Sequence, residues 1–101
     1  MKISIDQHGS HATLRLAGHF DMEAHMPFHR ACRSVLGEGS VRTLSLDLSE
    51  VDYIDSSALG MLLLLQEKAE KNNIEITLNG CQRGVLRALT LANFHRLFKI
   101  V

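Results

Sequence analysis

Strand-like and helix-like apolar patterns alternate along this chain, and that alternation constrains its fold more than any other feature of the sequence. Residues 3–5 and 12–17 are predicted strands, and the turn at 8–11 joins them as a hairpin. Helices are predicted over about 27–36, 56–71 and 83–92, and further strands over 42–48, 74–78 and 97–101. Because a helix separates each later strand from the next, these strands are expected to pair in parallel. The sequence thus predicts an α/β fold, a mixed β-sheet with helices in the order β-β-α-β-α-β-α-β.

Two segments are predicted to be irregular. Gly18 to Asp21 breaks the alternation of the second strand, and Ser49 to Asp55 is interpreted as an acidic loop. Gly37 and Gly39 are expected to end the first helix.

The length and charge of the chain exclude several classes of protein. A chain of 101 residues can bury one hydrophobic core, so one domain over residues 1–101 is expected. Eleven Lys and Arg balance eleven Asp and Glu, which disfavours a nucleic-acid-binding domain and a polybasic membrane anchor. The longest apolar run, Ala58 to Leu65, is far shorter than the ~20 residues of a spanning helix.

The N-terminus and the cysteines bear on where the protein resides. The first residues contain no apolar export segment. Cys32 and Cys81 lie far apart and form no CxxC pair, which favours reduced thiols. We therefore expect a cytoplasmic protein.

The second predicted helix has two apolar faces. At 100° per residue, one arc faces away from the charged positions and is assigned to the core; it contains Ala58, Leu59, Met61, Leu62, Leu65 and Ala69. Leu63 and Leu64 fall outside this arc, on or beside the face that carries Ser56, Gly60 and Glu67. Either a loop or neighbouring helix covers the two leucines, or they form a small docking surface beside a serine.

Asp55-Ser56-Ser57 directly precedes this helix, where Asp and Ser are ordinary N-caps. The approach is acidic: Asp47, Glu50, Asp52 and Asp55 precede the serines, and no Lys or Arg occurs between Arg42 and Lys68. A phosphate on Ser56 would benefit from the helix N-terminus, yet it would add about −1.5 to −2 charges. One like charge at ~5 Å costs on the order of 3 kcal/mol at an effective dielectric of 20, or ~100-fold in affinity. Phosphorylation could therefore repel a partner without unfolding the domain.

Residues Leu46 to Gly60, LDLSEVDYIDSSALG, resemble the signature of the STAS domain in its anti-sigma factor antagonist subgroup. Leu16 to Asp21 is similar to the family's strand ending in Gly-x-hydrophobic-Asp, and Leu91 to Ile100 is similar to its C-terminal segment. Ala58 stands where the family most often has glycine. The resemblance covers nearly the whole chain.

This resemblance implies a partner-switching protein that regulates a sigma factor and has no catalytic residues or cofactor of its own. The phosphoacceptor would be Ser56, and the kinase would be the anti-sigma factor, an ATP-dependent serine kinase. The unphosphorylated protein would bind the anti-sigma factor and free the sigma factor, and a metal-dependent serine phosphatase would reset the modified form. Asp21 and Asp55 match the aspartates beside the phosphoacceptor. The partner-binding residues are predicted to be Asp21, Asp55, Ser57, Gly60, Leu63, Leu64 and Glu67.

Other functions have weaker support in the sequence. His25 and His29 are spaced i, i+4 but lack a clear third metal ligand, so no metal site is predicted. Ser56 lies in no Gly-x-Ser-x-Gly elbow, which disfavours a serine hydrolase. The stronger rival is a second use of the same fold, since the chain resembles in length the small STAS proteins that serve as unphosphorylated accessory subunits of lipid-transport ATPases. Asp55-Ser56-Ser57 argues for the switch, because a purely structural subunit needs no phosphoacceptor.

Overall fold

The computed structural model describes residues 1–37 and 39–101, which form one mixed sheet and its helices. The strands are β1 (Lys2–His8), β2 (His11–Phe20), β3 (Thr43–Ile54), β4 (Glu75–Asn79) and β5 (Lys99–Ile100). The helices are α1 (His25–Leu36), α2 (Ser56–Lys71) and α3 (Arg83–Leu91), with short 3₁₀ turns at Met22–Ala24 and Phe94–Arg96. The predicted α/β class and order of elements are confirmed, and the two 3₁₀ turns are additional elements.

Strand order in the sheet follows chain order, β1-β2-β3-β4-β5. The hairpin β1–β2 is antiparallel, and β2, β3, β4 and β5 pair in parallel, as the intervening helices require. Right-handed crossovers between strands added in one direction place every helix on the same face of the sheet. The opposite face therefore has no helical cover.

The burial pattern of the strands agrees with this one-sided arrangement. Fully buried side chains alternate along the three central strands, and they include Leu14, Leu16, Leu44, Leu46, Leu48 and Leu78. The intervening positions are polar and half-buried or exposed. They contact one another across the strands: Ser45 Oγ lies 3.1 Å from Thr77 Oγ1, and Arg15 Nε lies 3.8 Å from Asp47 Oδ2.

The predicted ends of β2 and β3 are wrong, because both strands continue through the segments interpreted as irregular. β2 runs to Phe20, and β3 includes Ser49 to Ile54 in place of an acidic loop. The two extensions pair with each other, as in Phe20 with Ile54, and the register shifts twice along the way. Gly18 lies at the second shift with a φ of +105°, a backbone conformation that favours glycine.

Within the described ranges, no helix combines the length and apolar character that crossing a membrane requires.

Candidate functional site

The serine motif lies at the start of α2, at the end of the sheet where the parallel strands terminate. Asp55 follows β3 directly and has the extended backbone of an N-cap, with φ −121° and ψ −176°. Its Oδ1 accepts a hydrogen bond from the backbone N–H of Ala58 at 3.0 Å. Ser56 is consequently the first residue of the helix, as predicted, and its side chain is exposed.

Asp21 reaches the same end of the sheet by the neighbouring strand. Phe20 and Ile54 are partners in the parallel β2–β3 pairing, so the aspartates that follow shortly after them lie at one edge. The backbone N–H of Asp55 donates to the carbonyl of Phe20 at 3.3 Å, which joins the two strand ends. Asp21 caps the 3₁₀ turn, since its Oδ1 accepts from the N–H of Glu23 at 3.1 Å. The fold thus brings Asp21, Asp55, Ser56 and Ser57 together.

The two apolar faces of α2 are both present. Ala58, Met61, Leu62, Leu65 and Ala69 are buried in the core, as the helical arc predicts. Leu63 and Leu64 remain 41% and 56% exposed, so no loop or helix covers them. We call Ser56, Gly60, Leu63, Leu64 and Glu67 the α2 surface; apart from its two leucines, it consists of small or charged exposed residues.

The four carboxylates that precede the serines do not act together. Asp47 lies on the polar face of the sheet, where Arg15 and Ser49 contact it. The hydroxyl and backbone N–H of Ser49 donate to Asp47 Oδ1 at 2.7 and 3.0 Å, and these bonds hold the pKa of Asp47 below its usual value. Asp52 Oδ1 lies 3.5 Å from His19 Nε2 on β2. The neighbouring strand therefore supplies Arg15 as an offsetting cation for Asp47, which the local sequence lacks.

An exposed aromatic residue beside the serine motif was missed by the sequence analysis. Tyr53, two residues before Asp55, is 50% exposed, and its ring centroid lies 5.6 Å from that of His19. Assigning residues 49–55 to a loop concealed it, because only the pairing of β3 with β2 places Tyr53 against His19. Tyrosine is enriched at protein interfaces, since its ring is apolar and its hydroxyl is polar.

Two histidines on α1 and the two cysteines are further chemically capable side chains. The rings of His25 and His29 stack with centroids 6.4 Å apart, and no cluster of three or more metal-ligating side chains occurs in residues 1–37 and 39–101. Burial raises the pKa of the Cys32 thiol to about 12, and burial also raises the pKa of Cys81, so both thiols are protonated at neutral pH.

Comparisons with known proteins identify the relatives of this chain. Residues 3–101 match the protein family described as "Mlab, STAS domain". A STAS-domain containing protein of Pseudomonas aeruginosa is 41% identical over 92 residues, which span 91% of this chain and 89% of that protein.

Solved structures match the fold over almost the whole chain at low identity. An anti-sigma factor antagonist from Mycobacterium paratuberculosis aligns with a TM-score of 0.86 at 20% identity, covering 98% of this chain and 83% of its own. The anti-sigma factor antagonist SpoIIAA aligns in its unphosphorylated form with a TM-score of 0.78 at 16% identity, covering 99% and 87%. Its phosphorylated form aligns with a TM-score of 0.77 at 15% identity, covering 99% and 91%.

Proposed function

Because the chain belongs to the STAS domain family, we propose that it is an anti-sigma factor antagonist whose α2 surface docks an anti-sigma factor until Ser56 is phosphorylated. One observation carries this function above the others: the Ser56 side chain is exposed at the N-terminus of a helix whose next two turns expose Leu63 and Leu64. A modifiable hydroxyl thus adjoins apolar contact area on one rigid element.

The docking surface has the composition of a small protein interface. Leu63 and Leu64 supply apolar area, while Gly60 adds no side chain and so permits close approach of a partner backbone. Asp21, Asp55 and Ser57 would form one rim of this interface at the sheet edge, and Glu67 would lie at the far end of the α2 surface. The exposed ring of Tyr53 adds a further contact residue next to the serine motif.

Electrostatics explain how a phosphate would end the docking. Asp55 and Asp21 already bring carboxylates to the Ser56 edge, so a phosphate with about −1.5 to −2 charges makes that edge strongly anionic. An acidic group of the partner at ~5 Å would then be repelled by on the order of 3 kcal/mol at an effective dielectric of 20. The helix N-terminus tolerates the anion, so the fold persists. The similar TM-scores of unphosphorylated and phosphorylated SpoIIAA against this chain support a modification that leaves the fold in place.

The phosphoryl chemistry belongs to the partners. The anti-sigma factor would be an ATP-dependent serine kinase that binds the unmodified chain, releases its sigma factor and then phosphorylates Ser56. A metal-dependent serine phosphatase would remove the phosphate and restore docking. This cycle operates in the cytoplasm, where sigma factors and ATP are both found.

A phosphorylation assay tests whether Ser56 is the phosphoacceptor. The purified chain is incubated with ATP and, in turn, with each anti-sigma factor kinase of the source organism. Mass spectrometry is expected to place one phosphate on Ser56 with the cognate kinase. Ser56→Ala should abolish incorporation, and the matched variant Ser57→Ala should retain it. Incorporation that persists in Ser56→Ala would assign the modification to another residue.

Binding to the same kinase without ATP tests the switch. Ser56→Ala is expected to bind as tightly as the wild type, and Ser56→Asp about 100-fold more weakly, because one added charge costs about 3 kcal/mol. Ser10→Asp adds the same charge at the exposed hairpin turn, at the opposite end of β2, and should bind normally. Equal affinity of Ser56→Ala and Ser56→Asp for the partner would refute the switch. If, in addition, the kinase incorporates no phosphate, the results would favour a permanent accessory subunit.

A further inference from the structure

An apolar groove separates α1 from α2 on the flank of α2 next to the α2 surface. Phe28, Cys32, Met61 and Leu65 form its floor, and its volume is about 420 Å³. Met26 and Leu64 stand at its lips, 52% and 56% exposed. Unlike isolated exposed leucines, these side chains form a continuous apolar surface.

The rim of this groove carries the cations Lys68 and Arg33 and two histidines. His25, His29 and Lys68 line the first part, and Arg33 and Lys68 line the part that continues towards the end of α1. No Asp or Glu among the described residues lines either part. The twelve residues of α1 include no acidic residue at all. In a chain with no net charge, this is a local concentration of one sign.

We propose that the α1–α2 groove binds an amphipathic helix of a partner protein, with its apolar stripe in the groove and its carboxylates against Lys68, Arg33 and the two histidines. An apolar groove between two helices can bind a third helix through its apolar residues at i, i+3, i+4 and i+7. The twelve residues of α1 extend over about 18 Å, which matches about three turns of a docked helix.

The charge of the rim favours an acidic helix over a second copy of the chain as the occupant of the groove. A symmetric dimer through the groove would place one cationic rim against the other, which electrostatic complementarity disfavours. An acidic helix meets the same rim with opposite charge.

The groove is a different site from the phosphoacceptor. Lys68 lies twelve residues after Ser56 on α2, or about 18 Å along the helix axis. This distance exceeds the Debye length of about 8 Å at physiological ionic strength, so a phosphate on Ser56 is screened from Lys68 and from the part of the groove beyond it. A phosphate on Ser56 therefore leaves the charge at the Lys68 end of the groove unchanged. Leu64 belongs to both the groove and the α2 surface, so a helix in the groove and an anti-sigma factor on the α2 surface would compete for that side chain.

Two synthetic helical peptides test the charge and shape of the occupant. Each has 14 residues with leucine at i, i+3, i+4 and i+7; one carries glutamate at the flanking positions and the other lysine. Fluorescence anisotropy against the full chain is expected to give at least 10-fold tighter binding of the glutamate peptide. Absence of binding up to millimolar concentration, or equal binding of both peptides, would overturn the inference.

Variants on α2 locate the binding. Lys68→Glu is expected to lower the affinity for the glutamate peptide about 10-fold, because it reverses a charge on the rim of the groove. Lys71→Glu makes the same change one turn further on, at a lysine that does not line the groove, and should bind normally. Ser56→Asp should also bind normally. If Lys71→Glu or Ser56→Asp weakens the peptide as much as Lys68→Glu, the groove is not the binding site.

Vesicles of phosphatidylglycerol distinguish an anionic membrane surface from a helix. No cosedimentation with vesicles is expected for the wild type. The inference would be overturned if the wild type cosediments with the vesicles, Lys68→Glu abolishes this cosedimentation, and the glutamate peptide does not bind. The groove would then bind a lipid surface and not a helix.

Discussion

Asp21 and Asp55 each use one carboxylate oxygen to cap the segment that follows, so their first role is local. The bonds to Glu23 N and Ala58 N are 3.1 and 3.0 Å long. Such caps typically contribute about 1 kcal/mol. Asp55 was predictable as a cap because N-capping depends on residues within one turn. The proximity of Asp55 to Asp21 depends on the parallel pairing of two strands. Only the resemblance to the STAS family indicated this proximity from the sequence.

Asp47 shows why local charge counting misjudged the serine motif. Its charge is balanced by Arg15, which is 32 positions away in sequence but adjacent across β2 and β3. A sequence without strand register cannot identify this partner. Asp47 therefore does not add to the acidic surroundings of Ser56, whereas Asp21 and Asp55 do.

The bonds from Ser49 to Asp47 predict a stability change in acid. Asp47 has a lowered pKa in the folded state, first through the Ser49 hydroxyl, so it stabilises the fold above its unfolded pKa and this contribution is lost as pH falls through the folded value. In Ser49→Ala we expect the Asp47 pKa to rise towards its ordinary value of 3.8. The free energy of unfolding should drop slightly at pH 7 and depend less on pH between about pH 4 and pH 2.

Carboxyl NMR titration of Asp47 and urea unfolding at neutral and acid pH measure both effects. Ser10→Ala, at the hairpin turn, should leave the Asp47 pKa unchanged. An unaltered Asp47 pKa in Ser49→Ala would contradict the assigned cause.

α2 is the element that the sequence predicted best, with both ends and both apolar faces confirmed. Its pattern spans sixteen residues, a cap precedes it, and Asn72 and Asn73 follow it, so local signals agree with the packed structure. β3 was predicted less well because half of its length is polar. Ser49 to Ile54 contains one buried residue, Val51, and is held as a strand by hydrogen bonds to β2 that no local pattern encodes.

Gly60 on α2 and Gly84 on α3 form a matched pair for separating stability from docking. A methyl group added at either glycine meets no atom within 4 Å, and both lie inside helices. Gly60→Ala should raise the free energy of unfolding by roughly 0.5–1 kcal/mol, because glycine loses more backbone entropy in a helix interior, and Gly84→Ala should raise it less, because Gly84 is in the first turn of α3. Urea unfolding measures this gain.

Only Gly60→Ala adds a methyl group to the α2 surface. It alone is therefore expected to lower the affinity for the anti-sigma factor, by about 10-fold where a partner backbone packs closely against Gly60. Gly84→Ala should bind as the wild type does. Equal affinity of the two variants would place the docking contact away from Gly60.

At the scale of the whole molecule, the core lies between one face of the sheet and the helices. The sequence predicted that the later strands pair in parallel; the order β1-β2-β3-β4-β5 is a finding of the structure, and right-handed crossovers then place the helices on one side. The register was not predicted, because it shifts twice between β2 and β3, once between Arg15 and Ala17 and once between Gly18 and His19, and no local apolar pattern marks these positions.

Leu14 and Ile5 test this one-sided core, since they are partners across the β1–β2 hairpin. Leu14 is fully buried, and Leu14→Ala is expected to cost about 2–5 kcal/mol, a large fraction of the roughly 5–15 kcal/mol of a small domain. Ile5 is 44% exposed near the edge, and Ile5→Ala should cost about 1 kcal/mol or less. Thermal or urea unfolding of both variants measures the difference, and equal losses would mean that the core extends to the edge strand.

The polar face of the sheet, which no helix covers, lies on the opposite side of the sheet from α1 and α2. Ser4 lies there, across from Arg15, exposed and separated by the sheet from every helix. A fluorophore or flexible tether attached at that position would report on the protein, or immobilise it, while leaving both helical contact regions accessible. The partner of each contact region could then be measured in turn on a single immobilised molecule.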